Sequence, residues 1–305
     1  MRDHFIKALS EIADLDPSLM LVNGDLGFGV LTDFIENRQS QYVNAGVAEQ
    51  NMTAVACGMA LAGANAYTYS IGNFTTLRCL EHLRNDVCYH NAKVTAVAIG
   101  GGFSYGQLGM SHFATEDLAI LRALPNMRVV APSDPWQAYE LTKQIHLADG
   151  PTYLRIDKGQ AGLPARPESV QLGKITRVQS GSDIAIFSIG GILSEVLEAA
   201  EQLAAEGIKV SINDVHTLKP LDLDTIDDVI RQCNRVLTVE EHNVTGGLGG
   251  AIAEACLENG TPIAGFKKIG LNDIYPQIVG DQKFLRNEYR MSTPYIVQAA
   301  RDLLA

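Results

Sequence analysis

Lys93-Val94-Thr95-Ala96-Val97-Ala98-Ile99 runs straight into Gly100-Gly101-Gly102. A run of apolar and β-branched residues stopped by glycines reads as a strand buried on both faces, the kind found inside parallel sheets. The same rhythm extends to either side. Towards the N-terminus, Leu19–Asn23 reads as a short strand ending in Gly24-Asp25. Glu49–Leu61 reads as a buried helix stopped by Gly63, Ala66–Ser70 as a strand and Thr75–His90 as one helix. Towards the C-terminus, Thr115–Ala123 reads as a helix, Arg128–Val130 as a strand, Pro135–Leu147 as a helix and Thr152–Arg155 as a strand. Strands alternating with helices predict an α/β fold with a mostly parallel sheet covered on both faces.

Residues 161–172 (AGLPARPESVQL) hold two prolines and interrupt the rhythm, so a linker is expected there. The alternation then restarts. Asp183–Ser188, Val210–Val215 and Arg235–Glu240 read as strands, and Leu193–Glu206, Asp224–Gln232 and Gly250–Asn259 as helices. Shorter elements follow to Ala305. The expectation is two α/β domains, 1–160 and 173–305, each a mostly parallel sheet flanked by helices. Ligands in such sheets bind beyond the carboxyl ends of the strands. That rule selects the loops Asn23–Gly29, Ile71–Phe74, Gly100–His112 and Arg155–Gly159.

Composition narrows the function. The 305 residues are 46% hydrophobic and 19% charged with a net charge of −11, and no basic cluster is denser than Lys267-Lys268, which argues against nucleic acid. No apolar run approaches the roughly 18 residues of a membrane span, and Met1–Phe5 lacks a signal layout. Cys57, Cys79, Cys88, Cys233 and Cys256 are odd in number and form no CxxC pair. They read as small buried hydrophobes in a reducing cytoplasm rather than as disulfides or zinc ligands. Glu240-Glu241-His242 carries three ligand-type residues in a row, but alternation along a strand keeps them from facing one ion, and they read as structural.

Glu49 opens an otherwise apolar helix within Asn44-Ala45-Gly46-Val47-Ala48-Glu49-Gln50-Asn51-Met52. An acid in a first helical turn favours the helix dipole by only about 0.3–1 kcal/mol. At a buried boundary, though, an unpaired carboxyl group tends to hold its proton, which suits it to acid–base work. This stretch closely resembles the pyrimidine-binding motif of the transketolase superfamily. Asn23-Gly24-Asp25-Leu26-Gly27, Tyr69-Ser70-Ile71-Gly72-Asn73-Phe74, Gly109-Met110-Ser111-His112 and Arg84-Asn85-Asp86-Val87 extend the likeness. So do Asp214–Asp222, Val239–His242 and Gly246–Gly249 in the second half. The resemblance implies thiamine diphosphate as cofactor. Glu49 would hydrogen-bond N1′ of its aminopyrimidine, so that the cofactor's own 4′-nitrogen can act as base. Phe74 would stack on that ring, with Asp25 and Ile71 beside it. His112, Leu108 and Arg155 would meet substrate, and Arg84–Val87 would pack at a subunit interface.

The same family binds the diphosphate through Mg²⁺ held by Gly-Asp-Gly and a downstream Asn-Asn. Here Gly24-Asp25 is followed by Leu26, and Asn-Asn occurs nowhere. The resemblance therefore implies a split enzyme. An N-terminal-type subunit would carry the diphosphate and Mg²⁺ ligands, this chain would hold the pyrimidine, and the assembly would be α₂β₂. Leu108 stands where sugar-phosphate enzymes of the family carry an Asp, and the phosphate-gripping positions fall near Gly100 and Gly29. Those departures point away from the usual pentose phosphates, towards a modified or nucleotide-activated sugar or an α-keto acid donor. Three alternatives stay open: 1-deoxyxylulose-5-phosphate-synthase-like chemistry, a 2-oxoacid dehydrogenase β subunit, and an inactive scaffold.

Overall fold

The computed structural model describes residues 1–305. Twelve strands form two sheets. The first sheet takes β1 (Leu19–Asn23), β2 (Tyr42–Asn44), β3 (Asn65–Ile71), β4 (Val94–Ile99), β5 (Arg128–Val130) and β6 (Thr152–Ile156). The second takes β7 (Thr176–Gln179), β8 (Ile184–Ile189), β9 (Val210–Asp214), β11 (Arg235–Asn243) and β12 (Gly265–Leu271). β10 (Thr217–Lys219) follows β9 in the chain but leaves that sheet. The helices are α1 (Arg2–Leu15), α2 (Thr32–Asn37), α3 (Glu49–Leu61), α4 (Gly72–Thr76), α5 (Leu80–His82), α6 (Asp117–Arg122) and α7 (Pro135–Leu147). They continue with α8 (Leu193–Ala205), α9 (Leu223–Cys233), α10 (Leu248–Glu258), α11 (Gln282–Glu288) and α12 (Thr293–Leu304). None is long and apolar enough to cross a membrane.

The expected α/β architecture is what the chain adopts. The first sheet has the order β10-β5-β6-β4-β3-β1-β2, parallel apart from β10, and the second β12-β11-β8-β9-β7, parallel apart from β7. β4 and β6 are buried along their whole length, which is why β4 runs almost wholly apolar without alternation, whereas β6 carries the buried Arg155. The amphipathic α1 buries Phe5, Ile6, Leu9 and Ile12, one stripe at helical spacing, and packs against α7. Glu49–Leu61 forms as expected because its apolar run ends at Gly63, whose φ of +101° suits glycine.

The expected single helix over 75–90 is broken. Thr76 Oγ1 donates to the Gly72 carbonyl at 2.7 Å, and Cys79 adopts φ −101° and ψ 7°. The helix stops after Thr76, resumes at Leu80, and passes into a π-helical turn over Leu83–Cys88.

The two sheets share more than a linker. β10, from the second half of the chain, pairs antiparallel with β5 of the first sheet, with Thr217 opposite Val130 and Lys219 opposite Val129. Lys219 Nζ donates to the carbonyls of Arg122 and Leu124 at 3.0 and 2.6 Å, at the end of α6. One apolar cluster joins Ala96 and Tyr153 of the first sheet to Phe187 and Val236 of the second.

At this junction Asp214 Oδ2 accepts from Ser133 Oγ and Gln137 Nε2, both at 2.7 Å, while Oδ1 has no partner. Burial pushes the Asp214 carboxyl up to about 7. A carboxyl group raised in the fold contributes stability that is present at low pH and lost as pH rises through the folded value. His216 nearby is lowered by burial to about 4 and works in the opposite sense, losing stability as pH falls. The difference between variant and wild type therefore isolates Asp214. The stability of Asp214→Asn relative to wild type is expected to grow by about 2–3 kcal/mol between pH 5 and pH 8, read by denaturant titration. A pH-independent difference would show that Asp214 stays ionised.

Candidate functional site

The chain leaves β1 towards the edge strand β2 and leaves β3 in the other direction, towards β4. The carboxyl ends of β1 and β3 therefore flank a topological switch point, where open sheets bind ligands. Asn23 pairs with Tyr69 in register, and the Gly24 amide closes the end by donating to the Tyr69 carbonyl at 3.2 Å. The first turn of α3 enters this crevice and delivers Glu49.

Glu49 is 2% exposed. Its Oε2 accepts from Arg78 Nη1 at 2.7 Å, and its Oε1 stands 3.4 Å from Ser70 Oγ. Gly24 lies against it: a Cβ there would sit 3.5 Å from Glu49 Cγ and 3.4 Å from Ser70 Oγ. The Arg78 guanidinium also lies 4.4 Å from the centre of the Phe74 ring. Phe74 in turn meets the His112 ring edge to face at 5.1 Å. Asn73 Nδ2 donates to the Ser111 carbonyl at 2.7 Å, pinning the start of α4 to the loop that carries His112. Tyr105 continues the row with its ring centre 6.3 Å from His112, and Lys158 Nζ lies 3.7 Å from the centre of the Tyr105 ring. Burial, with added repulsion from Arg2, lowers the Lys158 ammonium from its ordinary value, and burial raises the Tyr105 hydroxyl.

Of the residues expected from the sequence, the structure gathers Glu49, Phe74 and His112 into one contiguous row. Ile71 ends β3 just before α4 and supplies backbone there. Asp25 lies on the β1 side with φ +58°, its Oδ1 accepting from Asn44 Nδ2 at 2.8 Å. Leu108 is 55% exposed in the turn Gly106–Leu108.

Arg155 is a correction. Neither an exposed strand end nor the mouth of the crevice holds it: it is 4% exposed, inside the joint between the two halves of the chain. Its Nε stands 3.3 Å from Asp117 Oδ2, and Nη2 donates to the Ala114 and Glu241 carbonyls at 3.2 and 3.0 Å. A Cβ on Gly101 would lie 1.9 Å from Arg155 Nε. The glycine run after β4 thus makes room for a guanidinium. Burial works against the charge, but Asp117 and its neighbours outweigh it and raise the Arg155 value.

Glu240, Glu241 and His242 all bond to protein groups. Glu240 accepts from the Leu248 and Gly249 amides at the start of α10, Glu241 reaches back to Phe103, and His242 Nδ1 meets the Asn243 carbonyl at 2.7 Å.

The sequence reading missed Arg78, Tyr105 and Lys158. The available signal for Arg78 was a cation four residues after Phe74, a spacing that puts two side chains on one helix face. Lys158 lies in a loop that the strand-end rule selects.

The residues present fit half of a thiamine diphosphate. They offer a buried carboxylate with one oxygen loosely held and a half-buried aromatic ring near it.

Comparison with known proteins comes to the same place. Residues 1–163 match the family described as transketolase, pyrimidine binding domain, and residues 173–292 the transketolase C-terminal domain. The chain is 32% identical to one subunit of an apulose-4-phosphate transketolase from Actinobacillus succinogenes, over 99% of this chain and 96% of that one. It is 31% identical to a 6-deoxy-6-sulfo-D-fructose transketolase subunit of Clostridium sp., over 99% and 94%. It is 31% identical to a 1-deoxy-D-xylulose-5-phosphate synthase of Geobacter metallireducens, over 98% of this chain but 48% of that protein. A solved structure described as a split gene transketolase, inactive beta4 tetramer, superposes with a TM-score of 0.89 at 32% identity, covering 99% of this chain and 97% of that one.

Proposed function

The chain belongs to the transketolase family, and we propose that it is the pyrimidine-binding subunit of a split enzyme that moves a two-carbon ketol unit from a ketose donor to an aldehyde or sugar acceptor. The observation that carries this reading is Glu49: a carboxylate buried at a topological switch point, beside an aromatic face and a histidine. Thiamine diphosphate, when bound, supplies the carbon nucleophile. Glu49 would hold the proton at the pyrimidine N1′, Phe74 would support the ring's face, and His112 would stand where the transferred unit meets its acceptor. Asp25 and Ile71 would border the ring, and Leu108 the substrate. We divide the chain at a linker over 161–172, in keeping with the limits of the two family matches.

The diphosphate and its Mg²⁺ belong, in this reading, to a second polypeptide, because the sequence lacks Asn-Asn and Gly-Asp-Gly. Two relatives are named as subunits, which supports a partner of this kind. Phe28, Val47 and Leu77 are large apolar side chains close in sequence to the site residues, and they are 85%, 76% and 43% exposed. An apolar rim of that sort is suited to cover by another chain. Arg84, Asn85, Tyr89 and Pro125 line an open groove of about 460 Å³ that offers a second contact surface. An α₂β₂ complex would place two sites in each assembly. All five cysteines are free and buried, in keeping with a reducing cytoplasm.

The donor is proposed to be a ketose with an anionic end other than the common pentose phosphate. The two named split relatives act on a sugar phosphate and a sulfo-sugar, and Lys158 stands unpaired beyond His112 and Tyr105. The test is a panel of xylulose 5-phosphate, apulose 4-phosphate and 6-deoxy-6-sulfo-D-fructose with ribose 5-phosphate and glyceraldehyde 3-phosphate as acceptors. Each chain is assayed alone and both together. Turnover is expected only with both chains, and xylulose 5-phosphate with ribose 5-phosphate is not expected to lead. Carbon dioxide release from pyruvate would favour the synthase-like alternative, and dependence on a lipoyl carrier the dehydrogenase.

A further inference from the structure

The Gly100–His112 loop carries Tyr105, Leu108 and His112, yet its only regular pieces are two three-residue turns, Gly106–Leu108 and Met110–His112. Within its own half it is held by a bridge between Gly102 and Ala114 and by Asn73 on the Ser111 carbonyl, and further ties come from the other half of the chain. Glu241, near the end of β11, accepts from the Phe103 amide at 2.5 Å. A Cβ on Gly102 would lie 2.3 Å from Glu241 Oε1, and a Cβ on Gly106 would lie 2.4 Å from the Gly280 carbonyl. The Gly280 amide donates to the Gly106 carbonyl at 3.2 Å, so the loop is tied at two points.

Glu241 is itself fixed from three sides. Arg286 pairs with it, and Gln282 Nε2 donates to its two oxygens at 2.9 and 3.1 Å. The same Gln282 nitrogen reaches Asp157 Oδ1 at 3.1 Å, and that oxygen accepts from Ser104 Oγ, on the loop, at 2.5 Å. The charged members are closed off from solvent, Glu241 being 2% exposed, Asp157 6% and Arg286 6%, while Gln282 is half-buried.

A buried ion pair is a poor device for stability alone, because desolvation consumes most of the attraction. Its use lies in geometry: a charge with every partner named admits one arrangement. We propose that Glu241 is a positioning residue for the reaction, setting the Gly100–His112 loop from the second half of the chain so that Leu108 and His112 meet substrate in a single geometry. This rests on the reading of those two residues as substrate contacts.

The test uses the assembled two-chain enzyme, the three donors named above, and the variants Glu241→Gln, Gln282→Ala and His112→Ala. Glu241→Gln is expected to lower kcat/KM at least tenfold with a raised donor KM, and to leave thiamine diphosphate affinity within twofold. Amide exchange at Phe103 and along 104–112 should quicken at least tenfold. Gln282→Ala should move the same readouts by less, and it keeps the test open if Glu241→Gln does not assemble. Loop exchange as slow as wild type, or kcat/KM within twofold, would overturn the proposal. So would a loss of cofactor affinity in step with activity, which marks a merely structural role. If His112→Ala leaves donor KM unchanged, the substrate reading fails separately. Faster loop exchange in Glu241→Gln without any change in KM would then show Glu241 to be a tie and not a positioning residue.

Discussion

Turnover of the assembled enzyme is expected to fall by about a hundredfold or more in Glu49→Gln, with the complex still formed. Gln keeps the shape and can still hydrogen-bond, but it cannot hold or yield a proton at the pyrimidine. Folding should survive the change. Glu49 is buried, so a neutral replacement costs no desolvation, and its ion partner Arg78 is 46% exposed at the side chain and can turn to water. The measurement pairs kcat with a thermal melt and the mass of the complex. Turnover within a few-fold of wild type would make the subunit a scaffold. Collapse of the complex would make Glu49 a structural residue at the interface.

The second large effect falls on stability. Arg155→Met is expected to cost about 3–5 kcal/mol, because removing one member of a buried charge network strands the others. Asp117 is 2% exposed and pairs with Arg155 in the joint between the two halves, where Arg155 also holds the Glu241 backbone carbonyl. A destabilisation of that size should lower the melting temperature by about 5–8 °C in a chain of this length. Asp117→Asn in the same background should restore part of the loss, since it removes the stranded charge. A loss under 1 kcal/mol by denaturant titration, or a donor KM that rises with no change in stability, would return Arg155 to the substrate.

Most of the architecture is legible in the sequence because buried parallel strands leave a plain mark. Val94–Ile99 is an almost unbroken apolar run, and Glu49–Leu61 ends where Gly63 ends it. What the sequence hides are pairings between distant segments. β10 is three residues long, and nothing local says that it will join the sheet of the other half. The break after Thr76 leaves no mark in composition, since Thr53 and Thr142 make the same back-bond inside unbroken helices. Glu49, Phe74 and His112 were legible as candidates through the resemblance of their motifs to the transketolase family; Phe74 by itself would read as core. Arg78 was not, since its partner lies 29 positions away. Arg155 misled for a related reason: a strand-end arginine looks the same whether it faces a mouth or a domain joint, and only Asp117, Ala114 and Glu241 decide between them. The Gly100-Gly101-Gly102 run read as a loop signal. In the fold the second and third of these glycines make room for Arg155 and Glu241, two side chains from other elements.

The central claim is that this chain supplies only the pyrimidine half of a shared cofactor site. Native mass spectrometry of the chain purified from its source, with and without thiamine diphosphate and Mg²⁺, tests it most directly. The expected result is a co-purifying chain that carries Gly-Asp-Gly and a downstream Asn-Asn, in equal stoichiometry, with cofactor retained only by the joint complex. This chain holding the cofactor by itself and carrying out ketol transfer would contradict the account.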